Sequence, residues 1–254
     1  MRLRLVALIV LAAMVVGAVV TAAFGSNDAD PTGVVIDWIP NGDVSSTATT
    51  TNGSAGTPEP QPTIDFSGGV TGFVFPIEDG CLPDDDNLMP GAPREYRRGT
   101  HEGVDLYDSD NCAYVGLDTE VVAAKAGTVI RADWAFEELT AAGLAELEAI
   151  IEEGGASLEL EDEFRGRQVW IEHPDGTVAR YAHLDGIAED VDVGSKIAQG
   201  EHIGYVGDSG TPESVTAPGT QVHLHFEIRI GGSYLGAGLD ADASRALYEA
   251  AFSR

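Results

Sequence analysis

From Val70 onward the chain is a succession of short apolar–polar alternations separated by glycine-rich punctuation, and a period of two predicts strands. The runs are VTGFVFP (70–76), TVIRADW (128–134), RQVWIEH (167–173), TVARYAHL (177–184), HIGYVG (202–207) and QVHLHFEIRI (221–230). HPDGT (173–177) joins two of them as a hairpin turn, with Asp175-Gly176 expected to supply the positive φ angles. In the last run Val222, Leu224, Phe226, Ile228 and Ile230 share one face, leaving His223, His225, Glu227 and Arg229 on the other. Two stretches change period. Leu139, Leu144, Leu147, Ile150 and Ile151 recur at roughly helical spacing between Phe136 and Glu153, and Gly154-Gly155 ends that segment. A second short helix is expected from about Ala243 to Phe252, opened by Asp240 or Asp242. The pattern predicts a mainly β, antiparallel architecture, a sheet or sandwich, with a helical insertion over 134–166 and a short C-terminal helix. The insertion carries ten acidic and no basic residues between Glu137 and Glu163. It reads either as a lid over a site or as a solvated helix packed on one edge.

The N-terminus follows a different rule. Two arginines stand in Met1–Arg4, and Leu5–Phe24 is an apolar stretch of membrane-span length. Residues 1–25 read as a transmembrane anchor or, if Thr21-Ala22-Ala23 is cleaved, as a signal peptide. Basic residues before the span and Asp28 and Asp30 after it place the bulk of the chain outside the membrane. It is then a single-pass protein with an extracytoplasmic C-terminal domain, or a secreted one. Residues 26–68, rich in Ser, Thr, Gly and Pro, cannot bury enough apolar surface to fold alone and read as a flexible linker. GVVIDWIP (33–40) interrupts that linker without an evident role. Residues 69–254 form the folded domain.

Composition narrows the function. The formal net charge is −28, and the chain has only two lysines. No nucleic acid is an expected partner, because such binding needs a basic footprint. Export also gives meaning to the only two cysteines, Cys81 and Cys112. An oxidising exterior permits a disulfide closing a loop of about 30 residues, with a stabilisation of roughly 3–4 kcal/mol on the loop-entropy model. Unpaired thiols and zinc thiolates are the alternatives.

The chemistry lies with the histidines. His223 and His225 are two apart on one strand face, so they can share a metal, or one can bind metal while the other handles protons; a solvated face is the bland alternative. GTHEGVDLY (99–107) adds His101 and Asp105 where a strand begins, with Gly103 between them permitting close backbone approach. A catalytic zinc site takes three protein ligands and leaves a fourth position open. His101, Asp105 and one histidine of the 223/225 pair supply that set. RYAHLD contributes His183 at the end of another strand. Tyr181, two residues earlier, is expected on the same face, either in a substrate groove or as packing. His173 and His202 read as ordinary surface or turn residues.

H-x-x-x-D, Y-A-H-L and H-L-H-F-E-I, in this order and on predicted strands, resemble the lysostaphin/LytM-type zinc peptidases, metallopeptidase family 23, over about 73–234. The resemblance implies the duplicated hybrid motif fold with a groove whose floor carries one Zn2+. It assigns His101, Asp105 and His225 as metal ligands and His183 and His223 as the catalytic pair. It implies a metalloendopeptidase that hydrolyses peptide bonds in the stem peptides or cross-links of bacterial peptidoglycan. Membrane contact would run through the N-terminal helix. Partners in the cell-wall or division machinery are not legible. The departures are Val222 where many relatives have proline, the long loop GDSGTPESVTAPGTQ (207–221), and the insertion; both segments are expected to edge the groove. GDSG (207–210) resembles a serine-protease nucleophile stretch, but here it is a glycine-rich turn. The alternative function is a catalytically silent cell-wall-binding or regulatory module that activates another hydrolase. A third is a zinc peptidase acting on extracellular protein.

Overall fold

The computed structural model describes residues 69–154 and 158–253. The expected anchor or signal at 1–25 and the linker at 26–68 lie outside them. Among the described residues no helix is long and apolar enough to cross a membrane.

In chain order the elements are β1 (Pro93–Arg94), β2 (Gly99–Thr100), β3 (Val104–Leu106), β4 (Glu120–Val122), β5 (Gly127–Ala132), α1 (Ala141–Gly154), α2 (Leu158–Phe164), β6 (Val169–Glu172), β7 (Thr177–Ala182), β8 (Gly186–Ile187), β9 (Lys196–Ile197), β10 (His202–Tyr205), α3 (Pro212–Thr216), β11 (Leu224–Ile230), β12 (Ser233–Tyr234) and α4 (Ala241–Ala251). The largest sheet runs β12-β11-β7-β6-β5-β9, with β3 also paired to β11. A three-stranded sheet runs β4-β10-β8, and β1 pairs with β2. The pairings are antiparallel throughout. This is the mainly β architecture that the alternation predicts.

β11 organises the domain because its two faces differ chemically. Leu224, Phe226 and Ile228 are fully buried and lie opposite Leu106, Tyr181 and Ala179. Apolar contacts on this face form the main core, which also takes in Ile171 and Val169 of β6 and Tyr248 of α4. On the other face Glu227 stands opposite Arg180, and Arg180 opposite Trp170. The Arg180 guanidinium lies 3.7 Å from the Trp170 ring centroid. The insertion has a small core of its own, Leu144, Ile151 and Phe164, against which Val215 of α3 packs.

Several local expectations are corrected. VTGFVFP is not a strand: Gly72 takes φ +82°, and its hydrogen bonds go singly to Ala251, Ala124 and Val122. The insertion helix begins at Ala141 rather than Phe136, because the Thr140 hydroxyl accepts from Gly143 N–H and caps it there. In the β6–β7 turn only Gly176 has positive φ, +81°, while Asp175 accepts from the amide and hydroxyl of Thr177. His173 is in that turn but buried, edge-on to Phe73, with Nδ1–H donating to Ala126 O. Asp240 rather than Asp242 caps α4. The disulfide expected between Cys81 and Cys112 is present, so neither is a free thiol or a metal ligand.

Candidate metal centre

Strand register assembles the centre. His225 on β11 pairs directly with Asp105 on β3, which puts both side chains on one face at close range. His225 Nδ1 lies 2.7 Å from Asp105 Oδ1. His101 Nε2 lies 2.9 Å from that oxygen and 3.1 Å from His225 Nδ1. Gly103 makes the approach possible, since a Cβ there would stand 2.5 Å from Phe226 O and 3.0 Å from the His225 ring. All three residues are buried, and together they form a group able to hold a metal ion.

The remaining polar atoms of the trio are committed elsewhere. His101 Nδ1–H donates to Met89 O at 3.0 Å, leaving Nε2 to the centre. His225 Nε2–H donates to Glu227 Oε1 at 3.0 Å, leaving Nδ1. Asp105 Oδ2 accepts from Arg94 at 2.8 Å, leaving Oδ1. Outer hydrogen bonds of this kind fix tautomer and orientation in metal sites. Zinc ligands at about 2.0–2.1 Å in tetrahedral array lie roughly 3.3 Å apart. The observed triangle of one carboxylate oxygen and two imidazole nitrogens has sides of 2.7, 2.9 and 3.1 Å, somewhat tighter than that span, and its chemistry of one carboxylate and two imidazoles suits zinc.

Burial and the neighbouring charges together set the protonation states. Burial lowers the His101 pKa to about 4 despite the neighbouring Asp105 carboxylate. Burial works against the Asp105 charge, yet His101, His223 and His225 together hold it well below the usual carboxylate range. For His225, burial is outweighed by the bonds to Asp105 and Glu227, and its pKa rises. Glu227, also buried, is held well below the usual range by Arg165 and His225.

His183 and His223 reach the same place by another route. β7 ends at Ala182, and His183 takes φ +60°, turning out of the strand. Its Nδ1–H donates to Ser209 O at 2.8 Å. His223 Nδ1–H donates to Gln221 O at 2.7 Å, and the Tyr107 ring stacks on it at 4.3 Å. The two imidazoles lie 4.5 Å apart, and His223 Nε2 is 3.7 Å from Asp105 Oδ1. Burial pushes both pKa values down, so each ring is neutral with Nε2 free as acceptor.

The five residues line one groove of about 440 Å³. Its edges include Glu148, Glu161 and Phe164 of the insertion and Pro212 and Glu213 of the loop before β11. The expected edging by both segments is therefore met. Tyr181 is the correction: it is fully buried on the apolar face, opposite Phe226 and Val169, and its hydroxyl accepts from Ala124 N–H. The turn at His183 breaks the alternation that would have placed the two on one face. Ser209 is likewise no exposed nucleophile; it is buried and its hydroxyl donates to Leu184 O.

Sequence reasoning missed Arg94, Arg165 and Glu227. Glu227 had a signal, since it shares the β11 face with His225. The arginines had none, being 11 and 62 residues from their carboxylate partners.

A search among curated proteins found no match. Among solved structures, a zinc-containing peptidase from Vibrio cholerae is 20% identical, with 66% of this chain and 39% of that one covered and a TM-score of 0.41. Csd3 from Helicobacter pylori is 20% identical, with coverages of 65% and 33% and a TM-score of 0.38. The catalytic domain of lysostaphin, an antimicrobial peptidase from Staphylococcus simulans, is 22% identical, with coverages of 57% and 77% and a TM-score of 0.36. The chain thus spans about a third to two fifths of the first two. The model of peptidase family M23 matches residues 99–237, more than half of the chain and a stretch that contains His101, Asp105, His183, His223 and His225. The chain belongs to peptidase family M23.

Proposed function

We propose that the protein is a zinc-dependent endopeptidase that hydrolyses peptide bonds in the stem peptides or cross-links of bacterial peptidoglycan. We place its domain outside the cell, tethered through residues 1–25 or released by cleavage there. The observation that carries the reading is the convergence of His101 Nε2, Asp105 Oδ1 and His225 Nδ1, with every other polar atom of these side chains already bonded. A zinc ion on these three atoms would polarise the scissile carbonyl and lower the pKa of water towards 7.

The chain's own groups supply the rest. His223 and His183 present unprotonated Nε2 atoms beside the trio, so one accepts the proton of the attacking water and, once protonated, donates from Nε2–H to the charged oxygen and then passes the proton to the leaving amine. Backbone carbonyls hold both rings, so neither needs to reorient when it takes up a proton. Burial keeps them neutral below the usual histidine range, ready to accept.

The test is incubation of the purified chain with peptidoglycan, after stripping with a chelator and again after adding zinc, with released fragments weighed by mass spectrometry. Zinc-dependent release of peptide-cleaved fragments is expected. Binding to the wall without cleavage would point to the silent regulatory module. Cleavage of an unstructured protein but not of wall would point to a protein substrate.

A further inference from the structure

Near the end of the insertion over 134–166, directly after α2, stands Arg165, and this residue reaches both halves of the site. Its Nε donates to Glu227 Oε1 at 2.7 Å. That same oxygen accepts from His225 Nε2–H. The other oxygen, Oε2, is held by Arg229 at 3.0 Å and Arg180 at 3.4 Å. Arg165 is thus the arginine bonded to the oxygen that orients His225. Its own guanidinium is braced by Glu102 at 2.5 Å, and both Arg165 and Glu227 are buried. The main chain of Arg165 reaches the other half, where its carbonyl oxygen accepts from His183 N–H at 2.9 Å. The next residue, Gly166, has φ +63° and lies so close to Ser209 that a Cβ would stand 2.2 Å from Ser209 O, the atom that holds the His183 ring.

We propose that Arg165 is a positioning residue for the centre, acting through Glu227 on His225 and through its carbonyl on His183. The helical insertion is then the arm that delivers this residue, not a removable lid. The proposal rests on the reading of His101, Asp105 and His225 as a zinc site, because its main consequence is metal affinity. Without the Arg165 bond, Glu227 is drawn towards Arg180 and Arg229 on Oε2, and the hydrogen bond that fixes the His225 tautomer is loosened.

Two readouts on the full chain decide it. The first is the imidazole Nε2–H proton of His225, buried and bonded to Glu227, followed by NMR in the metal-free protein. The second is zinc affinity by competition with a chromophoric chelator. Arg165→Met should broaden or abolish the proton signal and weaken zinc binding by about 10–100-fold, the range for lost outer hydrogen bonds. Arg165→Lys should recover part of both, and is the variant to use if Arg165→Met does not fold. Arg97→Met removes another buried guanidinium that grips the insertion, through Glu161 at 2.6 Å, without touching Glu227. It should leave both readouts at the wild-type level. Equal proton signal and equal zinc affinity in wild type and the Arg165 variants would overturn the proposal, as would an equal loss in Arg97→Met. If wild type binds no zinc, the functional reading fails, and the proton signal alone still decides whether Arg165 positions His225.

Discussion

The metal trio and the histidine pair sit within one groove, yet the chain holds them by different means. His225 and Asp105 are facing residues of hydrogen-bonded strands, and His101 is one short loop away, so sheet register fixes them. His183 and His223 are tied by ring N–H bonds to the carbonyls of Ser209 and Gln221, both in the loop before β11. Register is stiff because a slip of one residue would turn every side chain of β11 to the wrong face. Loop carbonyls have no such guarantee, and they are kept in place by interlocking turns at Gly166 and Gly210. The trio is therefore insulated from the 207–221 loop and meets the insertion only through Arg165 and Glu227, whereas the pair is exposed to both segments.

The largest effect should come from breaking the trio. Asp105→Ala is expected to lower zinc affinity by more than the roughly 10–100-fold of an outer-shell loss, and to abolish hydrolysis with it. Calorimetric titration with zinc checks this. Retained zinc affinity would mean that these three atoms are not the site.

His223→Ala sharpens the contrast. Hydrolysis should fall by about 10²–10⁴-fold while zinc affinity stays at the wild-type level. A parallel loss of both would place His223 with the ligands and erase the division between trio and pair.

Acidification separates the groups by the sign of their shifts. His101, His173, His183 and His223 have lowered pKa values in the fold, so the unfolded chain binds more protons as pH falls below about 6.5. Their contribution is present above that value and is lost as pH falls, for His101 towards about 4. His225 is raised, so its contribution is present below its unfolded pKa and lost as pH rises through the folded one. Four groups oppose one, and the melting temperature of the metal-free protein should drop by roughly 5–10 °C between pH 7 and pH 4.5. A rise in Tm on acidification would contradict the burial argument.

The smallest effect tests the correction at Tyr181. Tyr181→Phe leaves the Ala124 N–H without its acceptor at a cost of about 1–3 kcal/mol, so stability to urea should fall while hydrolysis is unchanged. A selective loss of activity would return Tyr181 to the groove.

What the sequence determined by itself is the set of features written in local spacing. Alternation marked β5, β6, β7, β10 and β11, and a cap at Asp240 or Asp242 marked the C-terminal helix. The separation of His101 from Asp105, and of His223 from His225, marked the chemistry. A charge of −28 set the expectation that nucleic acid is not a partner. Tertiary structure alone decided which nitrogen of each imidazole faces the centre, because Met89, Glu227, Ser209 and Gln221 make that choice and most of them lie far along the chain or in irregular turns. It also decided that Tyr181 faces the core while His183 faces the groove, since one positive φ angle overrides the strand period. The arginines at 94 and 165 belong to the same class. A guanidinium recognises a carboxylate by position in space, and only the folded sheet and the insertion packed on it bring those positions together.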